Sequence, residues 1–100
     1  MPFDVYIDKG ALRRGKVKKA IAIIDTELTN WEYSVQAEFG TISNIGQDSF
    51  EYTRPKNEKQ YEDTITVQFA DKENKRIYQS VISLVFPISP EAVGPNIIST

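Results

Sequence analysis

The chain contains no cysteine and no histidine among its 100 residues. The missing cysteines exclude disulfides, thiolate metal sites and a cysteine nucleophile. The missing histidines exclude a Ser-His-Asp triad and a histidine-ligated zinc or copper site. Any catalysis would have to depend on carboxylates, lysine or tyrosine, so we expect no enzyme activity and no cofactor.

The sequence also has little net charge and no long apolar run. Twelve basic and 14 acidic residues give a formal net charge of −2 at pH 7, whereas a dedicated nucleic-acid-binding domain is usually strongly basic. No segment approaches the ~20 apolar residues that a membrane-spanning helix needs. We therefore expect neither a nucleic-acid partner nor direct insertion into a membrane.

Apolar and aromatic residues are abundant enough for one modest core. Hydrophobic residues make up 40% of the chain and aromatic residues 11%, and 100 residues is the length of one ordinary domain. Pro87 and Pro90 would end the last strand, because proline cannot donate to a β-ladder. We predict one domain over residues 1–87, followed by a proline-containing tail or interdomain linker over 88–100.

Alternation of apolar and polar residues predicts about seven short β-strands. The clearest pattern is Trp31 to Ala37, in which every second residue is apolar. Polar or glycine-containing turns separate these segments, Lys9-Gly10 among them, and we find no convincing helix. Several short strands joined by turns, without a helix, favour an antiparallel β-sandwich. The remaining predicted strands are residues 3–8, 17–25, 41–45, 50–53, 63–70 and 76–86.

The predicted second strand, Val17 to Asp25, has an ambiguous phase because both of its faces are apolar. We interpret this as a strand that has something packed against each side. A helix from Ala11 to Ile24 is the alternative, which Gly15 and the β-branched residues disfavour.

Charges fall in blocks along the chain. Six basic and no acidic residues lie from Lys9 to Lys19, and six acidic and no basic residues lie from Ala20 to Thr53. One interpretation is a basic patch that binds a phosphate, an acidic glycan or an acidic partner. The alternatives are that oppositely charged strands lie side by side, or that lysines protect an edge strand.

The candidate ligand or partner contacts are Arg13, Arg14, Lys16, Lys18 and Tyr61. The first four belong to the basic block. Tyr61 is included because its predicted loop is polar and also contains Lys56 and Lys59.

Carboxylates near the predicted turns are the remaining chemical candidates. Glu62-Asp63 and Asp71-x-Glu73 could each be an acid/base pair or calcium ligands, and Asp25 could join Asp71 and Glu73 in a calcium site. A glycosidase needs its two carboxylates in a cleft, and calcium needs six to eight oxygen ligands. Because turns favour aspartate and asparagine, we expect these acids to be structural and expect no metal site.

Two aromatic or apolar features have both a structural and a binding interpretation. Trp31 is either part of the sandwich core or a sugar-stacking platform, and its place in the third strand favours the core. The long last strand would accept a partner strand if it lay at a sheet edge. Val81, Ser83 and Val85 would then be its exposed residues.

Several short patterns resemble a known group of domains. They are Trp31-x-Tyr33, Gly40-Thr41-Ile42-Ser43, Phe50-x-Tyr52-x-x-Pro55, Asp63-Thr64-Ile65-Thr66-Val67 closing at Asp71, and the β run from Ser80 to Phe86. With these patterns, residues 16–87 resemble the bacterial immunoglobulin-like modules found in tandem on surface and secreted proteins. Polycystic-kidney-type and fibronectin-type-III modules share much of this pattern. The Gly-Asp-Gly turn of the polycystic-kidney type is absent, and Lys19 falls at what would be an inward position.

The resemblance implies an antiparallel immunoglobulin-like β-sandwich without catalytic residues. It implies a spacer or adhesion module of a larger bacterial surface or secreted protein, located at the cell surface or outside the cell. The implied partners are neighbouring domains of the same chain, with protein or glycan as further ligands. One alternative is a carbohydrate- or protein-binding module that uses Lys9 to Lys19 or the Tyr61 loop. The other is a decoration or tail domain of a phage virion, where the same fold is common.

Overall fold

The structure, a computed structural model, describes residues 1–13, 18–57 and 59–86, with the side chains of Ala11 and Arg13 excepted. Arg14, Lys16 and the predicted tail over 88–100 lie outside these residues. The described elements are β1 (Phe3–Ile7), α1 (Lys9–Arg13), β2 (Lys19–Thr26), β3 (Trp31–Ala37), β4 (Thr41–Ser43), β5 (Ser49–Thr53), β6 (Glu62–Asp71) and β7 (Arg76–Val85).

The strands form two antiparallel sheets. One has the strand order β1-β2-β5-β4 and the other the order β3-β6-β7. This is the strand order of an immunoglobulin constant-type domain. The predicted all-β antiparallel sandwich of about seven strands is therefore confirmed.

Aromatic rings join the two sheets across the core. Phe3 of β1 stacks on Phe69 of β6, with ring centroids 4.2 Å apart. Trp31 is partly buried against this pair and meets Phe3 edge-on at 5.3 Å. Full burial of a ring of this size stabilises the folded state by about 1.5–3 kcal/mol relative to an exposed ring. The predicted core position of Trp31 is confirmed, although the indole lies at the margin of the core.

The predicted packing on both faces of the second strand is wrong. Ala20, Ala22 and Ile24 point inward, whereas Ile21 and Ile23 are 60% and 54% exposed. The inward side chains are small because Ala20 and Ala22 lie opposite the large buried rings of β5. Lys19 shares the exposed face, so the expected inward position for Lys19 is wrong as well.

The predicted turn at Lys9-Gly10 is instead the start of the five-residue helix α1. So short a helix is marginal alone and depends on packing. Leu12, which is 1% exposed, supplies that packing. The longer helical alternative does not form, because β2 begins at Lys19.

The chain crosses the sandwich from one end to the other. We call the end that holds Phe3, Thr26 and Asp71 the entry end, because β1 begins there beside the end of β2. We call the opposite end, at Lys19 and Val85, the exit end, because β7 finishes there. β6 and β7 each have ten residues and run about 33 Å between the ends. Within the described part of the chain, no helix is long and apolar enough to cross a membrane.

Candidate interaction surfaces

The two buried carboxyl groups hold loops in place. Asp63 is 2% exposed and accepts hydrogen bonds from the backbone N–H groups of Phe39 and Gly40 at 3.0 and 2.7 Å. It also accepts one from the Tyr52 hydroxyl at 2.5 Å. Burial, followed by this hydrogen bond, raises the pKa of Tyr52 above its ordinary value, so the phenol remains a donor. Asp63 therefore ties the bend after β3 to β5 and β6.

Asp71 has the corresponding role at the entry end. Its carboxylate accepts hydrogen bonds from the backbone of Glu73 and from the backbone and side chain of Asn74, at 3.1, 3.1 and 2.8 Å. The Asn74 side-chain hydrogen bond is the largest of the causes that lower the pKa of Asp71. Glu73 accepts a hydrogen bond from the Thr29 hydroxyl at 2.7 Å. Among the described residues, no group of three or more acidic side chains is placed to hold a metal ion.

Two of the predicted contact residues come together at the exit end. The backbone N–H of Arg54 donates to the Lys18 carbonyl at 2.8 Å, and the N–H of Phe86 donates to the Tyr61 carbonyl at 2.6 Å. The Arg54 guanidinium lies 4.6 Å from the centre of the Phe86 ring, a cation–π contact. Lys18 and Tyr61 are thus connected through Arg54 and Phe86, and both are exposed.

The exit end carries more basic residues than the sequence block indicated. Arg54 was missed, and Lys56 was not connected with the basic block, because both lie far from Lys9–Lys19 along the chain. The antiparallel pairing of β2 with β5 brings Lys19 opposite Thr53 and so places these residues beside the block. We call Lys18, Lys19, Arg54, Lys56 and Lys59 the basic cluster. Arg13 ends α1, and its side chain is not described.

The entry end has an acidic side at the ends of β1 and β2, whereas its β6–β7 turn carries both acidic and basic residues. Asp4 of β1 lies opposite Asp25 of β2. These two residues line an open groove of about 350 Å³ together with Glu27. Part of the acidic block of the sequence thus lies at the end of the sandwich opposite to the basic cluster.

An apolar surface runs along the side where β1 and β7 lie. A groove of about 550 Å³ is lined by Tyr6 of β1, Ile21 and Ile23 of β2, and Val81 of β7, among others. All four side chains are more than half exposed. Tyr78 of β7, in contrast, packs against the core and the Phe3 ring.

β7 is a sheet edge, as the edge-strand hypothesis required. Within the described sheet, its one neighbour is β6. Val81 and Val85 are exposed at 57% and 50%, and Ser83 is also exposed. The predicted exposed set of the last strand is thus confirmed.

No protein-family model, no curated protein and no solved structure matches this chain. The resemblance to bacterial immunoglobulin-like modules stays a prediction. Function has to be inferred from the fold and from these surfaces.

Proposed function

We propose that this chain is a non-catalytic structural module that acts as a spacer or adhesion module in a larger bacterial surface or secreted protein. The observation that supports this proposal is the path of the chain. β1 starts at the entry end beside Thr26, and Phe86 leaves at the exit end beside Tyr61. A domain crossed in this way adds its full length to any chain in which it is inserted.

The charges at the two ends suit a head-to-tail arrangement. The basic cluster lies at the exit end, and Asp4, Asp25 and Glu27 lie at the entry end. When similar modules follow one another, a basic surface meets an acidic one. Such complementarity orients neighbours more than it adds affinity, and salt weakens it.

The loops at both ends are fixed by hydrogen bonds, which suits a rigid spacer. Asp63 holds the bend at the exit end, and Asp71 holds the β6–β7 turn at the entry end. The Tyr33 hydroxyl also donates to the carbonyls of Gly46 and Ser49, at 2.7 and 2.8 Å, which fixes the loop before β5. A stretching force on the chain would therefore act on end loops that hydrogen bonds hold in place.

The test is a tandem of two copies joined head to tail, each carrying Val81→Lys so that the exposed edges of β7 cannot pair, studied by small-angle X-ray scattering. We expect the maximum dimension to increase by about the 33 Å length of a ten-residue strand. A matched tandem with a long Gly/Ser linker is the control, because it should sample many separations. A tandem that folds back into a compact side-by-side pair would contradict the spacer proposal.

Anion binding at the exit end is the second candidate function. The observation that favours it is the connection of Lys18 and Tyr61 through Arg54 and Phe86. We expect a sulfated oligosaccharide to shift the amide signals of this end, and Lys18→Ala with Lys56→Ala to weaken the binding. Lys75→Ala, at the entry end, is the matched control. Absence of shifts at low salt would eliminate this candidate.

A further inference from the structure

Within the part of the chain that the structure describes, the outer edge of β7 lacks the features that usually protect an edge strand. Natural edges are short, charged, bulged or covered. β4 has three residues and β1 has five, and β3 carries Glu32, which pairs with Lys72 at 3.2 Å. β7 has ten residues, and its only charged residue is the first, Arg76.

The ladder to β6 does not use about half of the N–H and C=O groups of β7, which point to the outer edge of the described sheet. β7 pairs with β6 over its entire length, from Arg76 opposite Asp71 to Val85 opposite Glu62. In an antiparallel ladder, alternate residues direct their N–H and C=O groups away from the neighbouring strand. Along ten residues, the outer edge therefore presents a long row of donors and acceptors.

The exposed face of β7 has a sequence that is symmetric about its centre. Its outward residues are, in order, Ile77, Gln79, Val81, Ser83 and Val85. Read in either direction, they alternate apolar, polar, apolar, polar, apolar. An antiparallel partner of identical sequence would place Ile77 opposite Val85, Gln79 opposite Ser83, and Val81 opposite itself. Moving the two-fold axis by two residues, to Gln79 or Ser83, places a polar residue at the centre and loses one apolar pair.

We propose that two copies of this chain pair through β7, antiparallel, about a two-fold axis at Val81. The two β3-β6-β7 sheets then form one continuous sheet of six strands. Such an interface is isologous, because each copy uses the same residues on both sides of the axis. No like charges oppose one another between Ile77 and Val85, since this stretch has no charged residue.

The apolar groove lies beside the same axis. Val81, Ile82 and Ser83 form its β7 wall, and Tyr6, Ile21 and Ile23 form the opposite side. Pairing at Val81 brings the groove of each copy to the interface. The exposed apolar side chains of β1 and β2 are thus next to the proposed contact, where a second copy would shield them from water.

A single introduced cysteine tests both the pairing and its register. The chain has no cysteine of its own, so Val81→Cys gives one thiol for each copy. Residues directly opposite in an antiparallel pair have Cα atoms about 4.5–5.5 Å apart, within the range that a disulfide spans. Mild oxidation should therefore convert most of Val81→Cys into a covalent dimer.

Ile77→Cys is the matched control, because Ile77 is equally exposed on the same strand. In the proposed register its own counterpart lies about 26 Å away along the strand. Ile77→Cys alone should form no covalent dimer on oxidation, whereas a mixture of Ile77→Cys and Val85→Cys should form the mixed disulfide. Equal cross-linking of Ile77→Cys and Val81→Cys would overturn the register and with it the proposal.

Sedimentation equilibrium of the unmodified chain measures the association without any cross-link. We expect a concentration-dependent dimer, and we expect Val81→Lys to raise the dissociation constant about tenfold or more, because two like charges then face each other. Ser34→Lys, at the centre of the other edge of the sheet, is the control and should leave the constant unchanged. Circular dichroism checks that each variant keeps its strands.

Three results would overturn the proposal. One is a monomer throughout the micromolar to millimolar range. A second is slow hydrogen exchange at alternate β7 amides in a proven monomer, which would mean that another part of the same chain covers the edge. A third is equal weakening by Val81→Lys and Ser34→Lys, which would place the contact elsewhere.

Discussion

The Tyr52 hydroxyl donates a 2.5 Å hydrogen bond to the Oδ2 atom of Asp63, and both side chains are buried. The bond connects β5 in one sheet with β6 in the other. The same oxygen accepts the backbone N–H of Gly40 at 2.7 Å. One carboxyl group therefore links the two sheets to the bend between β3 and β4.

Removal of the Tyr52 hydroxyl should destabilise the fold. Tyr52→Phe keeps the ring but leaves Asp63 with one donor fewer in a buried site. Loss of one partner of a buried hydrogen bond costs about 1–3 kcal/mol, which urea unfolding would measure as a lower midpoint with an unchanged slope. Tyr6→Phe, on the exposed face of β1, is the control and should change the free energy of unfolding by less than about 0.5 kcal/mol. Equal effects of the two substitutions would contradict the structural role of Asp63.

The same phenol should make the fold sensitive to high pH. Burial raises the pKa of Tyr52 above the ordinary tyrosine value of 10.0, so above pH 10 the unfolded chain loses a proton that the folded chain keeps. The unfolded state then binds fewer protons, and the free energy of unfolding falls as the pH rises. The pKa of Tyr33 is raised too, first by burial and then by Asp48. Urea unfolding between pH 8 and about 11 should show this decline.

Tyr52→Phe gives the corresponding control for pH. We expect the variant to lose less stability than the parent chain between pH 9 and about 11, because one of the two raised tyrosine pKa values is gone. Identical slopes for the two proteins would show that the high-pH effect does not arise at Tyr52.

The period-two alternation of the sequence was sufficient to predict the strands, but not which face of every strand points into the core. In β3, polar residues occupy one whole face, and the orientation was predicted correctly. In β2, Ile21 and Ile23 alternate with Ala20 and Ala22, so hydrophobicity alone could not identify the inward face. The aromatic rings of β5 decide it, because they leave room only for small neighbours.

Contacts between residues far apart in the sequence could not be predicted, for a different reason. Asp63 lies at the start of a strand, where an acidic residue is common beside a turn, and nothing local indicates its bond to Tyr52. Arg54 joins Lys18 at the exit end only because β5 pairs with β2. Such contacts depend on the order of the strands in the sheets, which the apolar and polar pattern of each separate strand does not indicate.

Gly40 should tolerate no side chain. A Cβ atom at this position would lie 2.5 Å from the Thr53 carbonyl oxygen and 2.6 Å from the Tyr52 ring. Gly40→Ala should therefore destabilise the fold by about 1–3 kcal/mol through overpacking. Gly46→Ala is the matched control, because its nearest neighbour would be the Ser49 Oγ atom at 3.3 Å. Thermal unfolding should place Gly40→Ala well below Gly46→Ala, and the reverse order would contradict the close approach at the bend.

Asn74 should determine part of the acid sensitivity of the fold. Its side-chain hydrogen bond is the first cause of the lowered pKa of Asp71, whose ordinary value is 3.8. Because the folded pKa lies below the unfolded one, Asp71 stabilises the fold above pH 3.8, and this contribution is lost as the pH falls through the folded pKa. Asn74→Ala should raise the pKa of Asp71, as followed by carboxyl carbon NMR, and reduce the dependence of unfolding on pH in this range. Asn57→Ala, in the exposed loop before β6, is the control. An unchanged Asp71 titration in Asn74→Ala would show that the backbone N–H groups of the turn hold the carboxylate without the amide.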